Sequence, residues 1–176
     1  MEKIILLGGG GHCKSVIDAI RSLNLYDIYG IIDIEKNIGQ TICGINIIDC
    51  DKNLNKYRDM GIKKAFITIG SVGNSELRVK LYNLAFNIGF EFPIIADKTA
   101  IISESVHIGK GTFIGKGAII NADSSIGENC IVNTGSIIEH DCTIGDFVHI
   151  SPGATVCGGV VIGNNTHIGA NSTVLQ

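Results

Sequence analysis

From Ile102 to Val174 every sixth residue is isoleucine or valine without a miss: Ile102, Ile108, Ile114, Ile120, Ile126, Val132, Ile138, Ile144, Ile150, Val156, Ile162, Ile168 and Val174. Two residues before each stands a small or β-branched side chain, such as Thr112, Ala118, Ser124, Cys130 or Cys142, and glycine often follows, as at Gly109, Gly127 and Gly163. A helix cannot hold a period of six on one face, and an ordinary strand alternates with a period of two. An unbroken hexapeptide run predicts a parallel β-helix, in which short strands wind round a prism and stack coil on coil. A triangular coil has three six-residue faces, so residues 18 apart in this run stack directly.

The first half follows a different pattern. The apolar segment 3–7 reads as a strand, followed by Gly8-Gly9-Gly10-Gly11-His12 and a helix with Val16, Ile17, Ile20 and Leu23 on one face. A second strand at 28–32 ends at Asp33, and 41–48 reads as a short extended excursion. A helix over 51–60, a strand over 65–69 ending at Gly70, and a helix over 75–87 come next. That last helix has Leu77, Leu81, Leu84 and Ala85 as its expected core stripe, and 91–95 reads as a closing strand. Alternating elements of this kind predict a small Rossmann-like α/β domain over 1–95. Pro93 and Asp97-Lys98-Thr99 mark the boundary, and the β-helix domain is expected over 100–176.

A glycine-rich turn between strand and helix lets backbone amides approach a phosphate at the positive end of the helix. The dinucleotide fingerprint is only half met: Gly8 and Gly10 fit, but the third position is Cys13. Asp33 sits where an acidic residue commonly holds a ribose or base. A structural turn, a nucleotide or nucleotide-sugar site, and an NAD site are all compatible with this pattern, and His12 either meets a phosphate or caps the turn. The net charge of −3 and the lack of a basic stripe give nucleic-acid binding little support. No stretch reaches the roughly 18 to 20 apolar residues that cross a bilayer, and the few apolar residues before Gly8 are too short a run for a signal peptide. The six cysteines form no CxxC pair. Cys130 and Cys142 occupy the small position of the repeat and read as packing residues, and reduced thiols fit a cytoplasmic protein.

The period also places the histidines. His140 falls between Ala122 and Gly158, while His149 stacks under His167 at about 4.8 Å. His140 and His149 are nine apart, half a perimeter, so they project from different sides of one prism. They can share a site only between two subunits, which predicts an intersubunit active site. Glu139-His140-Asp141 is the chemical centre: a histidine is the usual general base near neutral pH, and an adjoining carboxylate fixes its tautomer. The alternative is a surface histidine beside two solvated acids. Gly158 offers a bare amide to a developing oxyanion. The scattered histidines argue against a metal centre, and Cys157 lacks the adjacent base a nucleophile would need.

With KIILLGGGGH at the start, ITIGSVGNSELRVKLY in the middle and NTGSIIEHDCTIGDFVHISPGA in the repeat, the chain resembles, over essentially its whole length, the bacterial NeuD/PglD-type family. That family comprises sialic acid O-acetyltransferases and UDP-4-amino-sugar N-acetyltransferases. The resemblance implies a left-handed β-helix, a homotrimer, and acetyl-CoA bound between adjacent prisms, with no metal. By matching positions it implies His140 as general base and Asp141 as its acidic partner. Asn133 and His149 then lie in the acetyl-CoA and acceptor region, with Gly158 near the thioester. Gly8, Gly11, His12, Asp33 and Gly70 fall where relatives hold the nucleotide of a UDP-sugar. Gly10 replaces a small polar residue of some relatives, removing one phosphate contact. The expected reaction is direct N-acetylation of a nucleotide-linked amino sugar. Sialic acid O-acetylation is the alternative, and a nucleotide-sugar-binding scaffold the non-enzymatic one. No lysine or arginine follows Lys116 to meet coenzyme A phosphates, and the repeat stops partway through a face at Gln176. Both features lead us to expect a native protein that continues beyond this chain.

Overall fold

Ile4, Ile5, Leu6 and Leu7 are all buried, the continuous apolar run of a parallel strand covered on both faces. They belong to β1 (Glu2–Leu7), an interior strand of a five-stranded sheet in the computed structural model, which describes residues 1–176. The chain continues through α1 (Gly11–Leu23), β2 (Tyr26–Ile32), β3 (Thr41–Ile42), β4 (Ile45–Asp49), α2 (Leu54–Asp59), β5 (Lys64–Ile67) and α3 (Glu76–Ile88). The strand order is β3-β4-β2-β1-β5, parallel except for the β3–β4 hairpin. The expected excursion at 41–48 is thus a hairpin whose second strand extends the sheet. Because the chain winds to one side of β1 and returns to pair β5 on the other, the carboxyl ends of these strands border a crevice, the usual ligand position in such sheets. α1 buries Cys13, Val16, Ile17, Ala19 and Ile20, and ends at the left-handed Asn24, whose N–H reaches Ile20 O at 3.1 Å.

Two sequence expectations need correction. In α3 the buried face is Arg78, Leu81, Tyr82 and Ala85, whereas Leu77 is 54% and Leu84 37% exposed. The helix is turned so that Tyr82 packs on Phe92, ring centroids 4.7 Å apart, and Arg78 reaches strand-end carbonyls. The closing strand at 91–95 does not form. Glu91 makes a single bridge to Lys64, and pairing stops where Pro93 has no N–H to offer. Ile95 instead opens the first strand of the β-helix.

Contacts group residues 1–70 with 76–93 as one unit, and 71–75 with 94–176 as the other. The second unit is a left-handed parallel β-helix of two-residue strands. One face stacks β7 (Ile101–Ile102), β10 (Ile119–Ile120), β13 (Ile137–Ile138), β16 (Thr155–Val156) and β19 (Thr173–Val174). The next stacks β8 (His107–Ile108), β11 (Ser125–Ile126), β14 (Thr143–Ile144) and β17 (Val161–Ile162). The third stacks β6 (Ile95–Ala96), β9 (Phe113–Ile114), β12 (Ile131–Val132), β15 (His149–Ile150) and β18 (His167–Ile168). The register advances by 18 throughout, as in Ile119↔Ile137, Ser125↔Thr143 and Ile131↔His149.

The sixth-position residues from Ile114 to Ile162 form the core, together with Ala118, Cys130, Cys142 and Ala154 at the small position. At four of the small positions the hydroxyl or thiol also donates to a carbonyl 15 residues ahead, whereas Ser136 and Thr166 donate to the carbonyl three residues back. Thr112 reaches Gly127 O at 2.8 Å, Ser124 reaches Glu139 O at 2.8 Å, Cys130 reaches Gly145 O at 3.0 Å and Cys142 reaches Cys157 O at 3.2 Å. These bonds satisfy inward-pointing carbonyls at the corners, which would otherwise be buried without a donor. No helix of the protein is long and apolar enough to cross a membrane.

Candidate active site

His140 and Asp141 form the corner between β13 and β14, with Asp141 in the left-handed region at φ 59°. Neighbouring coils pin this corner from both sides: Asp141 N–H donates to Ala122 O at 3.0 Å, and His140 O accepts from Gly159 N–H at 2.8 Å. The two side chains are exposed, and His140 Nδ1 lies 2.7 Å from Asp141 Oδ2. A carboxylate only accepts, so the ring proton sits on Nδ1 and Nε2 keeps its lone pair. Donating its Nδ1 proton to Asp141 raises the His140 pKa above the ordinary histidine value, against a smaller opposing effect of desolvation. Gly158 stacks on the ring. A Cβ there would come within 2.8 Å of Nε2, so only glycine leaves the imidazole this position. The arrangement sets an imidazole with an unprotonated Nε2 against a bare peptide.

His149 lies on the third face, opposite the corner that carries His140, so one chain does not bring the two together. It is instead joined to Asn133. Asn133 Oδ1 accepts from Thr134 N–H at 2.8 Å, which sets the amide orientation and turns Nδ2 toward His149 Nε2 at 3.3 Å. Nε2 is therefore the acceptor, and the His149 ring proton belongs on Nδ1. The His149 ring is buried and packs against His167 at a 46° tilt with centroids 5.2 Å apart; Ser151 repeats the motif one coil on, 2.8 Å from His167 Nε2.

The α/β unit has a cleft of about 100 Å³ at the carboxyl ends of β1, β2 and β5, lined by Gly8, Asp33, Asp51 and an apolar wall including Ile34, Ile69 and Leu77. This is where the exposed Leu77 is directed. Gly8 is at φ 110°, and a Cβ there would meet Ile69 Cγ1 at 2.2 Å. Asp33 is aimed by two donors, Ile34 N–H at 2.8 Å and Asn37 Nδ2 at 3.0 Å. Of the predicted ligand-binding residues, Gly8 and Asp33 line this cleft. Gly11 and His12 form the first turn of α1, where Gly10 provides no side-chain cap, and Gly70 has open space about its Cα.

Sequence reading missed Asn37, Asp51 and Arg78. Arg78 is 1% exposed and donates to Ile67 O at 3.3 Å and to Ile69 O, holding the end of β5 against the Gly8 turn. A buried guanidinium on backbone carbonyls leaves no trace in hydropathy. Asn37 has a weak signal, lying four residues after the strand-end aspartate.

These two units define a hexapeptide-repeat acyltransferase with an α/β N-terminal domain. The PglD N-terminal domain model matches residues 3–85, and the bacterial transferase hexapeptide model matches residues 105–140 and 141–176. A perosamine N-acetyltransferase from Caulobacter crescentus is 30% identical, with 100% of this chain and 90% of that one covered and a TM-score of 0.88. Its structure holds CoA and GDP-perosamine in a variant with one histidine replaced by asparagine. The acetyltransferase domain of PglB from Neisseria gonorrhoeae, in complex with acetyl coenzyme A, is 30% identical over 98% of this chain and 81% of that one, with a TM-score of 0.87. WeeI from Acinetobacter baumannii is 25% identical over 100% and 82%, with a TM-score of 0.82. An uncharacterized protein of Acanthamoeba polyphaga mimivirus is 41% identical over 112 residues, 64% of this chain but 21% of that protein, so the chain spans about a fifth of that relative. The chain belongs to the NeuD/PglD-type family of acetyl-CoA-dependent sugar acetyltransferases.

Proposed function

We propose that this protein moves the acetyl group of acetyl-CoA onto the amino group of a nucleotide-linked amino sugar, in sites formed between subunits of a homotrimer. The observation that carries the reading is the His140–Asp141 pair at 2.7 Å, which leaves Nε2 as the free base beside Gly158. Nε2 takes the proton of the amine as its nitrogen adds to the thioester carbonyl. The resulting oxyanion is met by the Gly158 N–H, the C–S bond then breaks, and the thiolate of coenzyme A recovers the proton from His140. No covalent acyl-enzyme is required, because holding both substrates together supplies the reactivity.

Residues 100–176 carry this chemistry, with Asn133 and His149 of a neighbouring chain at the acetyl-CoA and acceptor groups. Residues 1–95 hold the nucleotide, through Gly8, Gly11, His12, Asp33 and Gly70. Asp33, aimed into the cleft, suits ribose hydroxyls. We read the nucleotide as a uridine diphosphate and the compartment as the cytoplasm. The relative that holds GDP-perosamine supports a nucleotide-linked acceptor in general, so a guanosine arm belongs in the test.

The experiment is thiol release from acetyl-CoA against UDP- and GDP-linked amino sugars and free sialic acids, with His140→Ala as control. Release with a nucleotide-linked amine and loss in His140→Ala is the expected result. Release with sialic acids alone would mean O-acetylation, and none with any acceptor would favour a binding scaffold.

A further inference from the structure

The peptide joining Cys157 to Gly158 is trans, so its C=O and N–H point in opposite directions. Its oxygen is held from inside the prism: Cys142, 1% exposed, donates its thiol to Cys157 O at 3.2 Å. With the oxygen drawn inward, the Gly158 N–H faces outward, on the side where the His140 ring lies. Cys142 is itself pinned, its N–H donating to Ser124 Oγ at 3.1 Å. Ser124 Oγ in turn donates to Glu139 O at 2.8 Å, the carbonyl of the peptide that enters His140. One buried polar column therefore orients both the peptide before the base and the peptide before Gly158.

We propose that Cys142, backed by Ser124, is a positioning residue for acetyl transfer: its thiol fixes the plane of the 157–158 peptide so that the Gly158 N–H meets the oxyanion formed beside His140 Nε2. The inference rests on the function proposed above. Burial pushes the Cys142 thiol pKa up, which keeps the S–H donor in place at neutral pH. The fold supplies its own controls. Cys130 makes the same bond to Gly145 O, 3.0 Å, where Glu128 stands in the place of His140 and Asp146 in the place of Gly158. Valine fills this repeat position at Val106, Val148 and Val160, and alanine fills it at Ala118 and Ala154.

The test compares Cys142→Val, Cys142→Ser and Cys130→Val in the full chain, measuring kcat, both KM values, the melting temperature and the amide proton shift of Gly158. Cys142→Val should lower kcat on the order of tenfold with both KM values unmoved, and shift the Gly158 amide signal. Cys142→Ser should restore both, since a hydroxyl also donates. Cys130→Val should leave kcat at the wild-type level for a similar change in melting temperature. Should Cys142→Val not fold, Cys142→Ala takes its place. An active wild type whose Cys142→Val variant keeps its kcat, or whose Cys130→Val variant loses as much, overturns the inference and leaves the function standing. A wild type that releases no thiol with any acceptor overturns both.

Discussion

Replacing Gly158 with alanine places one methyl group against the His140 ring, at 2.7 Å from Cε1, 2.8 Å from Nε2 and 3.3 Å from Cδ2. Carbon contacts settle near 3.5 to 4.0 Å, so the ring must retreat by roughly 1 Å. It has room to do so, since the His140 side chain is 60% exposed. The backbone at 158 is not in the left-handed region either, so alanine brings no torsional strain there. The fold should therefore barely register the change, with a melting temperature within about 2 °C of wild type. Chemistry should register it strongly. The retreat either breaks the 2.7 Å bond to Asp141 or carries Nε2 away from the attacking amine. A displacement of about 1 Å at a reacting pair costs on the order of a hundredfold in rate, and the loss should fall on kcat. Steady-state thiol release, titrated in each substrate, measures it. Gly163→Ala is the matched control, because its Cβ would meet nothing within 4 Å and its φ is also ordinary. A Gly158→Ala enzyme that turns over at the wild-type rate would refute the placement of the base. So would one that loses activity only in step with its fold.

Asp141 raises the His140 pKa, so the basic form is lost as pH falls through a value above the ordinary histidine range. Asp141→Asn should therefore move the acid limb of kcat/KM to lower pH while lowering the plateau, and a limb that moves to higher pH would contradict the assignment. Asn133→Asp replaces the donor facing His149 with an acceptor, and nitrogen-15 spectra should show the His149 ring proton moving from Nδ1 to Nε2. Gly8→Ala drives a Cβ to 2.2 Å from Ile69 Cγ1 at φ 110°, and should reduce the unfolding free energy in urea by about 2 kcal/mol or more, with loss of nucleotide binding. Mixing His140→Ala and His149→Ala subunits should restore roughly a quarter of the wild-type activity if each site takes one histidine from each chain. No recovery would place both in one chain's site.

The interior of the β-helix was readable because it obeys a strict rule. One residue in six must be apolar and branched to fill the prism, and from Ile114 to Ile162 each is buried. The stacking of Gly158 on His140 and of His167 on His149 followed from the same period, since a regular coil turns sequence spacing into position. What escaped was whatever depends on polar partners. Arg78 lies in the buried face of α3 because two strand-end carbonyls receive its guanidinium, and no hydropathy pattern announces that. The strand expected at 91–95 was apolar enough, but Pro93 removed the donor that pairing needed. Cys142 and Ser124 looked like small filler, because their donated hydrogen bonds go to carbonyls 15 residues ahead rather than to sequence neighbours.

The β-helix keeps stability and chemistry in separate positions of the same coil. Interior positions repeat at every turn, so they tolerate little change, while the corners face outward and are free to differ from coil to coil. The His140 column shows the result: Ala122 below and Gly158 above are the small residues that give one imidazole its space. A single prism cannot surround a substrate, however, because its convex faces turn apart, as the positions of His140 and His149 do. In the proposed homotrimer, a closed cyclic assembly would set the corner of one prism against the face of the next. The nine-residue offset between the two histidines would then be the spacing by which two identical chains each supply half of the proposed site.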